Sequence, residues 1–200
     1  MKPYKTVEER QSFVTKSGKE LENWVANYLN RELEKDGVKV LWGKEIENNP
    51  QRYPELYKYL SIPTKESKEE RIWGDIDLVA VDASDNYPIV VISCKTSFHG
   101  RLTETLFHSL LFRILTRIKF VLVTSDAGRG QKEKWQSELG SEEKPTKERE
   151  LSSTFLDSLY TTNEKTKLGG IVKFITDLPK DILYWKKGLL KTRSKRYFLT

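Results

Sequence analysis

Residues 75–95, DIDLVAVDASDNYPIVVISCK, constrain the fold more than any other part of the chain. Two apolar runs, 77–81 and 89–93, flank a stretch of Asp, Asn, Ser and Pro, the composition of a turn between two antiparallel strands. Side chains alternate faces along a strand, so Asp75, Asp77, Val79 and Val81 share one side of the first. Val91, Ser93 and Lys95 share one side of the second. Pairing Val81 with Ile89 puts Asp77 opposite Ser93 and Lys95 beside both acids. The hairpin is therefore expected to be anchored by apolar residues and to gather two carboxylates and an ammonium at its open end.

The flanking segments predict what covers it. From Gly18, the positions of Leu21, Trp24, Val25, Tyr28, Leu29 and Leu33 predict an amphipathic helix that Asp36 and Gly37 end. Residues 1–17 read as a docked arm and 38–42 as a short strand. The proline-broken stretch 45–71, with Tyr53, Tyr57 and Tyr59, reads as loop and short helix, either supporting the core or forming part of a binding surface. Leu102, Leu106, Leu110 and Leu111 predict a second helix, followed by a fully apolar strand at 120–123. Helix, strand, strand, helix, strand is the order of an α/β fold with a central mixed β-sheet flanked by helices. Beyond Thr124, a polar loop (SDAGRGQ) leads to a short helix over 132–139 and a mobile charged connection over 140–150. A short helix carrying Phe155, Leu156, Leu159 and Tyr160 follows, then a strand at 171–175, a helix opened by Pro179 and a basic end.

Two hundred residues with 37% hydrophobic content are enough for one well-filled core. The expectation is a single domain over 1–200, with a common core at about 18–124 and additions from 125 to 200. A formal charge of +6 fits a partner bearing phosphates without requiring one. Cys94 is the sole cysteine, which excludes an intrachain disulfide and a multi-thiolate zinc site, and it reads as a small hydrophobe packed in the sheet. No apolar run has the length of a signal peptide core or a membrane span, so a soluble, cytoplasmic protein is expected. His108, in a leucine-rich helix, reads as structural. Arg129 lies in a glycine-containing loop that lacks the GK[ST] of a P-loop.

The acids and lysine at the end of the hairpin suit phosphodiester hydrolysis. Carboxylates hold a hard cation such as Mg²⁺, which withdraws charge from phosphate and lowers the pKa of a bound water. A neighbouring lysine orients or helps deprotonate that water and offsets developing charge.

At these residues the chain resembles the PD-(D/E)xK nucleases, and within them type II restriction endonucleases. Asp77, in GDIDLV, matches the family aspartate, and Ser93-Cys94-Lys95 matches the acid-x-lysine element with Lys95 as its lysine. Gly18 followed by Leu21-Glu22 is similar to the family helix whose glutamate reaches the metal. Ser93 departs from the family's usual acid, and a neutral hydroxyl is a poor magnesium ligand. Either Glu22 supplies the missing carboxylate, which we favour, or Asp75 does, or the chain is an inactive relative. The stretch after the lysine, KTSFHGRLTET, resembles the element by which several restriction enzymes approach DNA. The resemblance implies DNA contacts from Thr96, Ser97, His99 and Arg101; the alternative is a helix cap at Thr96 or Ser97 and a solvated Arg101.

What the resemblance implies is a Mg²⁺-dependent endonuclease acting on double-stranded DNA. Asp77, Lys95, Glu22 and Ser93 make its centre, and Asp77, Glu22 or Asp75 ligate the metal. Since one such site cuts one strand, it implies a second catalytic subunit, either a homodimer mate or the larger DNA-recognising chain of a heterodimeric type IIS enzyme. A structure-specific repair or junction nuclease, or an inactive DNA-binding assembly protein, are the other readings.

Overall fold

The computed structural model describes residues 7–64, 71–98, 102–116, 118–129 and 135–193, with side chains from Ser17 to Leu190. In chain order the elements are α1 (Val7–Leu33), β1 (Val38–Trp42), α2 (Gly43–Asn48), α3 (Pro54–Leu60), β2 (Ser61–Pro63), β3 (Arg71–Trp73), β4 (Leu78–Asp82) and β5 (Pro88–Lys95). There follow α4 (Leu102–Leu115), β6 (Lys119–Thr124), α5 (Lys147–Phe155), β7 (Ser158–Thr161), β8 (Val172–Phe174) and α6 (Leu178–Arg193). Six strands form one mixed sheet in the order β1-β4-β5-β6-β7-β8. The pairs β1/β4 and β4/β5 are antiparallel and the remaining three are parallel.

Every residue of β4 and β5 is buried, because helices cover both faces of the sheet. On one face Val25, Leu29 and Leu33 of α1, four residues apart, pack with Leu178 and Ile182 of α6 onto Leu78, Ala80, Val90 and Ile92. On the other, Leu102, Leu106 and Phe112 of α4 and Leu56 and Leu60 of α3 pack onto Val79, Val81, Val91, Phe120 and Leu122. Each of these larger aliphatic side chains, once fully buried, contributes about 1.5–3 kcal/mol. That is what anchors the polar end of the hairpin.

The hairpin register is the expected one from Leu78↔Ile92 to Ala80↔Val90. A bulge then makes Val81 face Pro88 and leaves Ile89 as the extra residue. Asp82 lies within β4, and its carboxylate accepts from Ser84 N and Oγ to shape the turn. Asn86 takes a left-handed conformation there, one of the few residue types that does so readily. The bulge lies at the end away from the acids, so it does not disturb their alignment.

Several segments differ from expectation. Of the expected arm, residues 7–17 belong to α1, and 1–6 lie outside the described residues. Residues 135–139 are not helical, and 132–134 lie outside the described residues. The charged stretch 140–150 is a turn closed by Ser141 N–H to Lys144 O, followed by α5, whose N-cap Thr146 accepts from Arg149 N–H. Leu159 and Tyr160 lie on strand β7, since a short apolar run suits a buried strand as well as a helix. Tyr57 stacks on Trp73, and Tyr53, Tyr57 and Tyr59 pack against the α4-side core, the supporting role. No helix among the described residues is long and apolar enough to cross a membrane.

Candidate functional site

The approach of α2 to the hairpin begins the site. Gly43 N–H donates to Asp77 O at 2.9 Å, and a Cβ on Gly43 would lie 1.9 Å from Ile76 O, so only glycine permits this contact. Asp77 is thereby fixed just before β4, across from the C-terminal end of β5. Its Oδ2 accepts from Cys94 N–H at 2.6 Å, Ser93 Oγ at 3.3 Å and Lys95 Nζ at 3.2 Å. Among the described residues no partner reaches Oδ1.

Lys95 is 9% exposed and its ammonium bridges two acids, lying 2.9 Å from Asp75 Oδ2, 3.1 Å from Asp75 Oδ1 and 3.2 Å from Asp77 Oδ2. Burial by itself would lower the lysine pKa. Asp77 and Asp75 outweigh it and hold the group above its ordinary value. Lys95 is thus a fixed cation and donor here, not a free base. Asp75 is braced in turn by α4: Thr105 Oγ1 donates to Asp75 Oδ2 at 3.3 Å, and Asp75 N–H donates to His108 Nδ1 at 3.3 Å. An accepting Nδ1 puts the proton of a neutral imidazole on Nε2. His108 is structural, as expected.

Glu22 projects from α1 into the same electrostatic neighbourhood. Burial, and then the Asp77 carboxylate, raise its pKa, while Lys95, Lys44 and Lys19 partly offset the rise. Glu22 is half-buried and has no hydrogen bond to a described residue. Cys94 sends its N–H to Asp77 but its side chain into the α1-side core, where burial and then the Asp77 charge push the thiol well above its usual range. It is not a nucleophile.

A divalent cation fits this donor set. Glu22, Asp75 and Asp77 against Lys95 leave two negative charges, and the like-charge effect of Asp77 on Glu22 is what a cation between them would relieve. Among the described residues no three His, Cys, Asp or Glu form a ready metal cage. An open pair of carboxylates is the type of site that suits Mg²⁺, which keeps several waters and shares its remaining positions with substrate phosphate.

The structure therefore brings Asp75, Asp77, Ser93 and Lys95 into direct contact, with Glu22 coupled to them. Thr96 and Ser97 follow β5 and are half-buried, and Thr96 O accepts from Ala127 N–H at 3.1 Å and Ser125 Oγ at 3.2 Å. Neither caps α4, which starts at Leu102. His99 and Arg101 lie outside the described residues. Sequence reasoning missed Thr105 as a brace, although a polar position three residues before His108 on a leucine-rich helix was a signal. It also missed the link from Phe98 N–H to the buried Glu138 carboxylate at 2.7 Å, which nothing local in the sequence announces.

A profile of the BsaWI restriction endonuclease type 2 family matches residues 52–182, which include Asp75, Asp77, Ser93 and Lys95 but not Glu22. The fold is similar to that in the crystal structure of the specific restriction endonuclease AgeI–DNA complex, with TM-score 0.66 and 15% identity, over 90% of this chain and 71% of that one. It is also similar to the pre-specific restriction endonuclease BsaWI–DNA complex, with TM-score 0.58 and 15% identity, over 94% of this chain and 68% of that one. No curated protein matches the chain.

Proposed function

The chain belongs to the BsaWI type 2 restriction endonuclease family, and from that premise we propose that Asp77, Glu22 and Lys95 form a Mg²⁺-dependent centre for hydrolysing DNA phosphodiester bonds. The activity class is that of a type II site-specific deoxyribonuclease. The observation that carries the reading is the division of labour at Asp77: one oxygen is saturated by Ser93, Cys94 and Lys95, the other has no partner among the described residues, and the Asp77 charge acts on Glu22.

Asp77 Oδ1 and the Glu22 carboxylate would hold the ion, which when bound supplies Lewis acidity toward the phosphate and acidifies water. Asp75 anchors the Lys95 ammonium, and Lys95 donates to the attacking water or to the phosphate oxygens on which charge builds. Ser93 replaces the usual acid as a donor that orients Asp77 and is not itself a ligand. Thr96 and Ser97, just after β5, are read as contacts to the DNA backbone, and the reading extends to His99 and Arg101. The whole chain is read as one nuclease domain, since the additions after residue 125 supply β7 and β8 to the same sheet.

Cleavage of double-stranded DNA by the purified protein, with Mg²⁺ and with EDTA, tests the centre. The parent should cut only with the metal, and Asp77→Asn and Lys95→Ala should not cut. If both variants cut as fast as the parent, the centre is elsewhere. A double-strand break calls for a second centre, from another copy of this chain or from a larger recognising chain beside which this one is the cleavage subunit. Complete specific cleavage by this chain alone would eliminate the second arrangement.

A further inference from the structure

Among the described residues, four lysines are held in ion pairs and the others are exposed. Lys95, Lys119, Lys173 and Lys186 are held in ion pairs with Asp75 and Asp77, Asp157, Asp181 and Asp82. Lys19 and Lys44, like Lys35, Lys39 and Lys58, are exposed and make no ion pair with a described residue, so it is position that sets them apart. Both lie next to the centre. Lys19 is three residues before Glu22 on α1 and so shares its helical face. Lys44 directly follows Gly43, whose N–H is bonded to Asp77 O. The charges of both act on Glu22.

Two unpaired ammonium groups beside a carboxylate cluster have a physical use. The carboxylates repel the polyanion that must approach them, and exposed cations on flexible stems counter that repulsion without reading bases. We propose that Lys19 and Lys44 are a phosphate-binding pair that grips the DNA backbone beside Glu22 and Asp77. This rests on the reading of those two acids as part of the cutting centre. The ligand is the phosphodiester backbone, so the contact is independent of sequence and releases counterions.

The test is fluorescence anisotropy with a labelled duplex of about 30 base pairs in EDTA, over about 50–200 mM salt. Lys19→Gln and Lys44→Gln should each reduce the slope of log affinity against log salt by about 0.9, and the double variant by about 1.8. Lys→Arg at either position should keep the slope. Lys35→Gln, beyond the far end of α1 and so past roughly 20 Å of helix from Lys19, should leave it unchanged. A parental slope in the double variant, an equal fall in Lys35→Gln, or no salt-sensitive binding by the parent overturns the proposal. Mg²⁺-dependent cleavage by Asp77→Asn is read separately. A reduced slope in the lysine variants with cleavage surviving in Asp77→Asn refutes the centre and leaves the phosphate contact. An unchanged slope with cleavage lost in Asp77→Asn refutes the lysine pair alone.

Discussion

Asp77 and Asp126 lie at the same end of the sheet and are held in opposite ways. Asp126 follows β6 and is completely buried. Its Oδ1 accepts from Glu138 N–H at 2.9 Å, and its Oδ2 from Ser137 Oγ at 2.5 Å and Thr166 Oγ1 at 2.6 Å. Neutral donors from two other loops thus satisfy both oxygens. Asp77 is partly exposed, crowds three donors including a cation onto one oxygen, and leaves the other without a partner among the described residues. A carboxylate closed on all sides ties loops together, whereas one closed on a single side is poised to bind. Asp126 takes a left-handed backbone conformation to make its links, which adds to its structural cost and is offset by them.

The comparison breaks most visibly if the two residues are exchanged in effect. Asp77→Asn should reduce cleavage by at least about 10³-fold while its thermal midpoint stays within a few degrees of the parent. Asp126→Ala should do the reverse. It strands buried donors at Glu138 N, Ser137 and Thr166, at a cost of about 3 kcal/mol and a fall in midpoint of roughly 6–12 °C. Thermal melts beside cleavage rates on both variants check this. A large loss of stability in Asp77→Asn, or none in Asp126→Ala, would reverse the assignment.

A finer contrast separates Glu22 from Asp75 as the second carboxylate. Asp75 has both oxygens on Lys95 and is braced by Thr105, so it fixes the lysine; Glu22 has no hydrogen bond to a described residue. Glu22→Gln should raise the Mg²⁺ concentration needed for half-maximal cleavage by about 10–100-fold. Asp75→Asn should lower the maximal rate and leave that concentration unchanged. Metal titrations of cleavage rate decide it, and a shifted metal requirement in Asp75→Asn would make Asp75 the ligand.

Much of the hairpin was legible because its information is local. The period of two, the turn composition and the apolar runs fixed which residues of β4 and β5 share a side, and so brought Asp77, Ser93 and Lys95 together. The bulge at Ile89 was not legible, since it depends on how Asp82 and Asn86 close the turn in three dimensions. The Asp126 cluster was invisible for a stronger reason: its partners at 137, 138 and 166 are distant in sequence and of types common in any loop. Leu159 and Tyr160 misled because four apolar positions cannot distinguish helix from buried strand, and the pairing of β7 with β6 decided the outcome.

Ser93 gives the smallest expected effect and the sharpest test of how Asp77 is held. Its hydroxyl is fully buried and supplies the longest of the three bonds to Oδ2, at 3.3 Å. Removing it leaves the shorter Cys94 N–H and Lys95 Nζ contacts, so Oδ2 stays satisfied and Oδ1 keeps its direction. Ser93→Ala should therefore cost about 0.5–1.5 kcal/mol, seen as a roughly 2–12-fold slower cleavage with an unchanged Mg²⁺ requirement. A loss as large as that of Asp77→Asn would mean that the hydroxyl contacts the metal or the substrate directly. In that case the apparent vacancy in the acid-x-lysine element would be a working position, and Glu22 would not be its replacement.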